Sequence, residues 1–167
     1  MTDPLVSIEG LNVSYRGAGR AVHVLDGVDI TIGRGQSVGL VGESGSGKST
    51  VAFAMLGLLA DNAEVSARHA RFDGHETTFA EKETTALRGT DIAMIFQDPM
   101  TALNPMFTIG TQLVDIQRRR FPKDNRRTLW SRAEAVLADV GVQDAAQRMH
   151  RYPHEFSGGM RQRVVIA

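Results

Sequence analysis

The sequence predicts an α/β fold, and three observations carry that expectation. Apolar residues recur at near-alternate spacing across 5–32. The apolar run Val38–Val41 leads into a glycine-rich loop, Gly42-Glu43-Ser44-Gly45-Ser46-Gly47-Lys48-Ser49, and from Thr111 onward the apolar spacing becomes helical. Strands come first and helices last, with the loop where a strand hands over to a helix.

Taken in order, Leu5 to Tyr15 sets Val6, Ile8, Leu11, Val13 and Tyr15 at near-alternate positions with a break at Gly10, the pattern of a strand or a bulged pair. Gly17-Ala18-Gly19 turns the chain, and Val22 to Ile32 reads as a second strand, interrupted near Asp26-Gly27. After the turn Gly33-Arg34-Gly35-Gln36, the unbroken apolar run Val38 to Val41 is expected to be a central strand buried on both faces. Val51 to Leu59 follows as an apolar helix. Residues 60–74 carry less pattern; Arg71-Phe72-Asp73-Gly74 reads as a short strand entering a turn, and Ala80 to Arg88 as a helix stopped by Gly89. Asp91 to Phe96 is the next expected strand and ends in the polar loop Gln97-Asp98-Pro99. Between Arg126 and Val140, the residues Leu129, Ala133, Val136, Leu137 and Val140 form one helical stripe, and Gly141 is a natural stop. The chain thus divides into a strand-rich part, 1–97, and a helical part, 98–167, with no internal repeat or low-complexity tract.

A chain of 167 residues is the size of one domain and can bury roughly 70% of its unfolded surface. Lysine plus arginine and aspartate plus glutamate number 19 each, so no global field recruits nucleic acid or an anionic membrane; such a partner needs a local surface. The absence of cysteine excludes disulfides, thiolate metal sites and iron–sulfur clusters within these residues. Met1-Thr2-Asp3-Pro4 lacks the basic start and apolar core of a signal peptide, and no apolar run approaches membrane-spanning length. The expectation is a soluble chain, attached to a membrane only through a partner.

The glycine loop has the spacing Gly, four residues, Gly-Lys-Ser. Glycines let backbone N–H groups turn inward around phosphate oxygens where a Cβ would obstruct. The helix that begins at Lys48 aims its positive end at the same anion. Lys48 has the reach for β- and γ-phosphates, and the Ser49 hydroxyl stands where a bridging Mg²⁺ needs an oxygen; Thr50 is the less suitable neighbour. The competing reading, a Gly/Ser turn that happens to hold a lysine, leaves the flanking strand and helix unexplained.

Two other stretches stand out. Ser157-Gly158-Gly159, ahead of a helix-like run from Met160, offers a hydroxyl, backbone amides and a helix N-terminus; by itself it reads equally as a helix-entry loop. Arg118-Arg119-Arg120, with Arg126 and Arg127 nearby, has no interleaved aromatic platforms of the kind single-strand binding uses, so a solvated helix end is the better reading and no nucleic-acid partner is expected.

Taken together, these motifs resemble the ATP-binding subunits of ABC transporters over essentially the whole chain. Gly42 to Ser49 resembles the Walker A loop, Gln97 the Q-loop glutamine, and Phe156-Ser157-Gly158-Gly159-Met160 the signature loop, in the family's order. Long runs at Phe96 to Pro105 and at Tyr152 to Arg163 are most similar to the subunits that energise dipeptide, oligopeptide and nickel importers. The resemblance implies a P-loop NTPase core with an antiparallel β subdomain and a helical subdomain, taking ATP and Mg²⁺. Gly42, Glu43, Ser44, Gly45, Ser46, Gly47, Lys48, Ser49 and Thr50 would hold the nucleotide, and Tyr15 would stack on adenine, unless it is simply a strand aromatic packed on the core. Gln97 would contact Mg²⁺ and the attacking water beside Lys48, and the residues Ser157, Gly158, Gly159 and Met160 would cap the nucleotide of another subunit.

The implied partners are a homologous or identical ATP-binding subunit in a head-to-tail dimer, transmembrane permease subunits and, through them, a solute-binding protein. The implied location is the cytoplasmic face of the cell membrane. The implied function is ATP hydrolysis coupled to uptake of peptides or related small solutes. A nucleotide-binding fragment without turnover, or a soluble ABC-type ATPase outside transport, is the alternative. In the family a metal-binding aspartate, a water-polarising glutamate and a histidine follow the signature helix, whereas this sequence ends at Val164-Val165-Ile166-Ala167. Asp98 is no substitute, because Gln97 intervenes and its context is that of the Q-loop. The expectation is therefore the N-terminal part of a longer ATPase subunit.

Overall fold

A computed structural model describes residues 3–17, 19–79, 81–96 and 98–167. They form two compact units, 1–92 and 93–167.

The first unit is built on β1 (Val6–Arg16), which is paired along both edges. On one side lies antiparallel β2 (Ala21–Ile32), with Val6 opposite Ile32 and Tyr15 opposite Val22. On the other side β1 is shared by two short antiparallel strands, β4 (His69–Phe72) along its first half and β3 (Ala63–Ser66) along its second; β5 (His75–Glu76) extends β4. The break expected at Gly10 is a bulge with a defined cause. Gly10 adopts φ +63°, its N–H donates to the Asp29 carboxylate at 2.6 Å, and the register with β2 shifts there. Asn12 bridges the two irregular points: its Nδ2 donates to the Gly10 carbonyl at 2.8 Å and its Oδ1 accepts from Gly27 N–H at 3.0 Å. Strand β3 lies in the stretch whose sequence showed little pattern; four residues of mixed polarity become a strand because β1 offers them a free edge.

Helix α1 (Lys48–Leu56) packs on this sheet through Val51 and Ala54, which join Val6, Ile8, Leu11, Val13, Leu25 and Ala70 in one core. Its end is closed twice. Gly57 takes the left-handed conformation and donates its N–H to the Ala54 carbonyl, and the Arg88 guanidinium donates to the Leu56 and Gly57 carbonyls at 2.6 and 2.7 Å. Arg88 follows α2 (Glu81–Leu87), the helix expected up to Gly89. The segment before α2 is held by the Glu83 carboxylate, which accepts from Thr78 N–H at 2.8 Å and from the Thr77 hydroxyl at 3.0 Å.

Two expected strands do not form. Val38 to Val41 forms no ladder, and Val38, Leu40 and Val41 are exposed at 51%, 53% and 90%. From Asp91 to Phe96 only Ile92 makes a bridge, to Arg88, and Ile95 and Phe96 are exposed. The physical reason is shared: a buried parallel strand takes its hydrogen bonds from neighbours on both sides, and among the described residues no strand lies alongside either run. Apolar composition qualifies a segment for a central strand without supplying the partners.

The second unit is helical: α3 (Pro99–Ala102), α4 (Ile109–Arg120), α5 (Arg126–Asp139), α6 (Ala145–Arg148) and α7 (Gly158–Ile166). Thr108 caps α4 and Asn125 caps α5, each accepting from the N–H three residues on. The expected stripe is the buried one: Leu129, Ala133 and Leu137 are fully buried with Ile109, Met149 and Phe156. Helices α4 and α5 meet closely because Gly110 lies under the Trp130 ring, where an added Cβ would come within 2.5 Å of the indole.

Truncating Leu137, 0% exposed in this core, is expected to cost about 2–5 kcal/mol of stability. Truncating Ile116, exposed at 69%, should stay within about 0.5 kcal/mol. Urea denaturation followed by circular dichroism measures both; equal costs would contradict this packing.

Candidate functional site

Helix α1 begins where the glycine loop ends. Gly45 and Gly47 hold φ +83° and +90°, and Gly47 is the residue before the helix. That position admits no side chain, because a Cβ would lie 2.6 Å from Leu25 Cδ2 in the sheet core. Val51 N–H is the first of the helix amides to close back, onto the Gly47 carbonyl at 3.0 Å. The amides of Lys48, Ser49 and Thr50 precede any intrahelical acceptor, and no side chain caps this N-terminus. Helices α4, α5 and α7 all carry a side-chain cap. A helix end of this kind suits an anion.

Lys48 is held within the loop. Its ammonium donates to the Gly42 carbonyl at 2.8 Å, the Glu43 carbonyl at 2.5 Å and the Ser46 hydroxyl at 3.2 Å. The loop thus fixes a positive charge next to the open helix end, while Ser46 N–H donates to the Glu43 carbonyl at 3.3 Å and tightens the turn. Residues 42–46 and Ser49 are exposed, whereas Gly47, Lys48 and Thr50 are half-buried. The Ser49 hydroxyl, in the first turn of α1, is an oxygen of the kind that a phosphate-bound cation takes as one ligand. The described residues therefore fit a nucleotide phosphate with Mg²⁺.

Tyr15 belongs to the same unit as the loop. It lies at the end of β1 between Val22 and Ala63, half-buried and packed on the sheet core. The core contact gives this ring a packing role. Gln97 lies outside the described residues.

Ser157, Gly158, Gly159 and Met160 open α7 in the second unit. Buried Pro153 and Phe156 anchor the chain before them, and buried Val164 anchors the helix after them. The Ser157 hydroxyl accepts from Met160 N–H at 3.4 Å. Ser157, Gly158 and Gly159 are exposed, and an added Cβ at either glycine would meet nothing within 4 Å. Met160 differs from its three neighbours: its side chain is half-buried against the helical core. The turn before the loop is held by Glu155, whose carboxylate accepts from Tyr152 N–H at 2.8 Å and pairs with Arg151 at 2.9 Å. The backbone hydrogen bond, with Arg151 assisting, holds its pKa below the usual carboxylate value. Sequence reasoning passed over Glu155 and Arg88. Their only signal is a carboxylate three residues after a turn and an arginine just beyond a helix, both too common to single out.

Gly47→Ala is expected to cost about 1–3 kcal/mol of strain and to weaken binding of a fluorescent ATP analogue; unchanged affinity would count against the loop geometry. Glu155, depressed in the folded state, stabilises above the unfolded carboxylate pKa, and that contribution disappears as pH falls through the lower folded value. Glu155→Gln should therefore lower the urea midpoint at pH 7 and leave it closer to wild type at about pH 3. A difference that does not shrink with acidification would contradict the assignment.

A family profile described as ABC transporter matches residues 25–167. The chain is 43% identical over 166 residues to the oligopeptide transport ATP-binding protein OppD of Haemophilus influenzae, covering 99% of this chain and 51% of the relative. It is 44% identical over 169 residues to the probable D,D-dipeptide transport ATP-binding protein DdpD of Escherichia coli, covering 100% and 51%. The chain therefore spans about half the length of these curated relatives. Among solved structures, a dimeric ATP-binding cassette in a post-hydrolysis state with ADP and Pi superposes with a TM-score of 0.78 at 23% identity, covering 96% of this chain and 67% of the other, which shows a shared fold. An ABC transporter component from Clostridium perfringens gives 0.74 at 23% identity, covering 99% and 60%. With the family profile matching residues 25–167, most of its length, this chain belongs to the ABC transporter family.

Proposed function

We propose that the chain is the nucleotide-binding part of an ATP-binding subunit of an ABC importer, which couples ATP hydrolysis to uptake of peptides or related small solutes. The observation that supports it most is the phosphate loop: an uncapped helix N-terminus beside an ammonium already held by the loop carbonyls. The solute class rests on the relatives named as oligopeptide and dipeptide transport ATP-binding proteins.

In this reading the first-turn amides and Lys48 bind the β- and γ-phosphates. Preorganisation matters because phosphoryl transfer is assisted chiefly by placed charge. Mg²⁺, when bound, would supply positive charge to the phosphate oxygens, and Ser49 would be one of its ligands from this chain. Gln97 orients water and serves as a second ligand, and Tyr15 places the adenine. Ser157, Gly158 and Gly159 cap the nucleotide of a second ATP-binding subunit. Their exposure suits that role, since a loop acting on another molecule must be open to it. The Met160 side chain, packed inward, contributes through its backbone. Permease subunits place the assembly at the cytoplasmic face of the membrane, with a solute-binding protein delivering cargo; no described helix is long and apolar enough to cross a membrane.

Lys48→Ala is expected to lower affinity for an ATP analogue by about tenfold or more and to abolish peptide uptake in cells expressing the variant subunit with its transporter. Fluorescence titration and radiolabelled peptide uptake measure the two. Wild-type uptake by the variant would overturn the proposal, and loss of ATP binding with uptake intact would separate the site from transport.

A further inference from the structure

One end of the α4–α5 hairpin concentrates charge that the nucleotide site does not use. Residues 118–127 hold six basic side chains, Arg118, Arg119, Arg120, Lys123, Arg126 and Arg127, and one acidic one, Asp124, a net of +5 in a chain whose total is zero. The rest of the sequence therefore carries −5. A five-residue connection joins the two helices, so the end of α4 and the start of α5 lie together. All six basic residues are exposed. Asp124 pairs with Arg132 at 2.9 Å, and among the described residues none of the six makes an ion pair.

Helix electrostatics do not account for this arrangement. Cations in the last turn of α4 suit its negative end, but Arg126 and Arg127 occupy the first turn of α5, which holds no acidic residue and where positive charge is unfavourable. Apolar groups are interspersed. Ile116 is exposed at 69% and shares a helix face with Arg119 and Arg120, and the partly exposed Phe121 follows them. A groove of about 510 Å³ runs beside Arg126, Arg127, Trp130 and Ser131.

We infer that this hairpin end binds an anionic lipid surface directly, without a permease subunit. Clustered cations flanked by exposed apolar side chains match the charged headgroups and acyl boundary of such a surface. Nucleic acid is the other polyanion, and the ring geometry disfavours it. Single-stranded bases stack on free aromatic faces, whereas the Arg132 guanidinium lies over one face of Phe121, 3.9 Å from its centroid, and Trp130 packs beside His150, at 5.0 Å between ring centroids, and close to Gly110. An anionic membrane needs only the charges and the apolar edges.

The test is co-sedimentation of the purified chain with phosphatidylcholine vesicles, with and without about 30 mol% phosphatidylserine. The chain should bind only the phosphatidylserine vesicles, and the binding should weaken as salt rises. The quadruple variant Arg119→Gln, Arg120→Gln, Arg126→Gln, Arg127→Gln should lose about 100-fold or more in partitioning, while the matching Arg→Lys variant retains it. Circular dichroism reports folding of each variant, and a titration with the ATP analogue separates this inference from the proposed function. Equal binding to both vesicle types, or a folded glutamine variant that partitions like wild type, overturns the inference. So does tighter binding to a single-stranded oligonucleotide than to phosphatidylserine vesicles at the same salt.

Discussion

The packing of α1 on the sheet is the constraint on which the nucleotide site depends. Val51 and Ala54 are buried against side chains of β1, β2 and β4, so the helix cannot slide or rotate without opening that core. Fixing the helix fixes its N-terminus, and with it the direction in which three unpartnered amides point. Gly47 transmits the constraint: the loop passes so close to Leu25 that the site and the core share one contact surface. The far end of α1 is secured by Arg88 on its last carbonyls.

The irregularity of β1 has a related purpose. One long strand serves β2 on one edge and two short strands on the other, and the bulge at Gly10 lets it change register midway. Asp29 and Asn12 satisfy the backbone groups that the bulge frees, so the bend has little hydrogen-bonding cost. The exposed ion pairs around this sheet, such as Arg16 with Glu64 and Arg71 with Glu76, contribute little beside the buried apolar contacts.

The two units present their glycine loops in different ways. Gly42–Ser49 is organised around a charge it already holds, Lys48, whereas Ser157–Gly159 is an open turn whose hydroxyl caps its own helix. The first thus holds its positive charge within its own unit, and the second is displayed outward from a buried anchor of Pro153, Phe156 and Val164.

By itself the sequence determined the phosphate loop, the helix after it, the bulged first strand, the apolar stripe of α5 and the turn before Met160. Each of these depends on local spacing, on glycine at a particular place, or on a side chain reaching three or four residues along. Only the tertiary structure decided the rest. Strand β3 exists because β1 has a free edge, and Val38–Val41 stays unpaired because no strand lies beside it among the described residues. Tyr15 packs on the core because Val22 and Ala63 flank it, and near the basic hairpin end Phe121 is paired with Arg132 and Trp130 with His150. Pairing and stacking partners lie far apart in the chain, and periodicity reports a segment's own face without naming what will meet it.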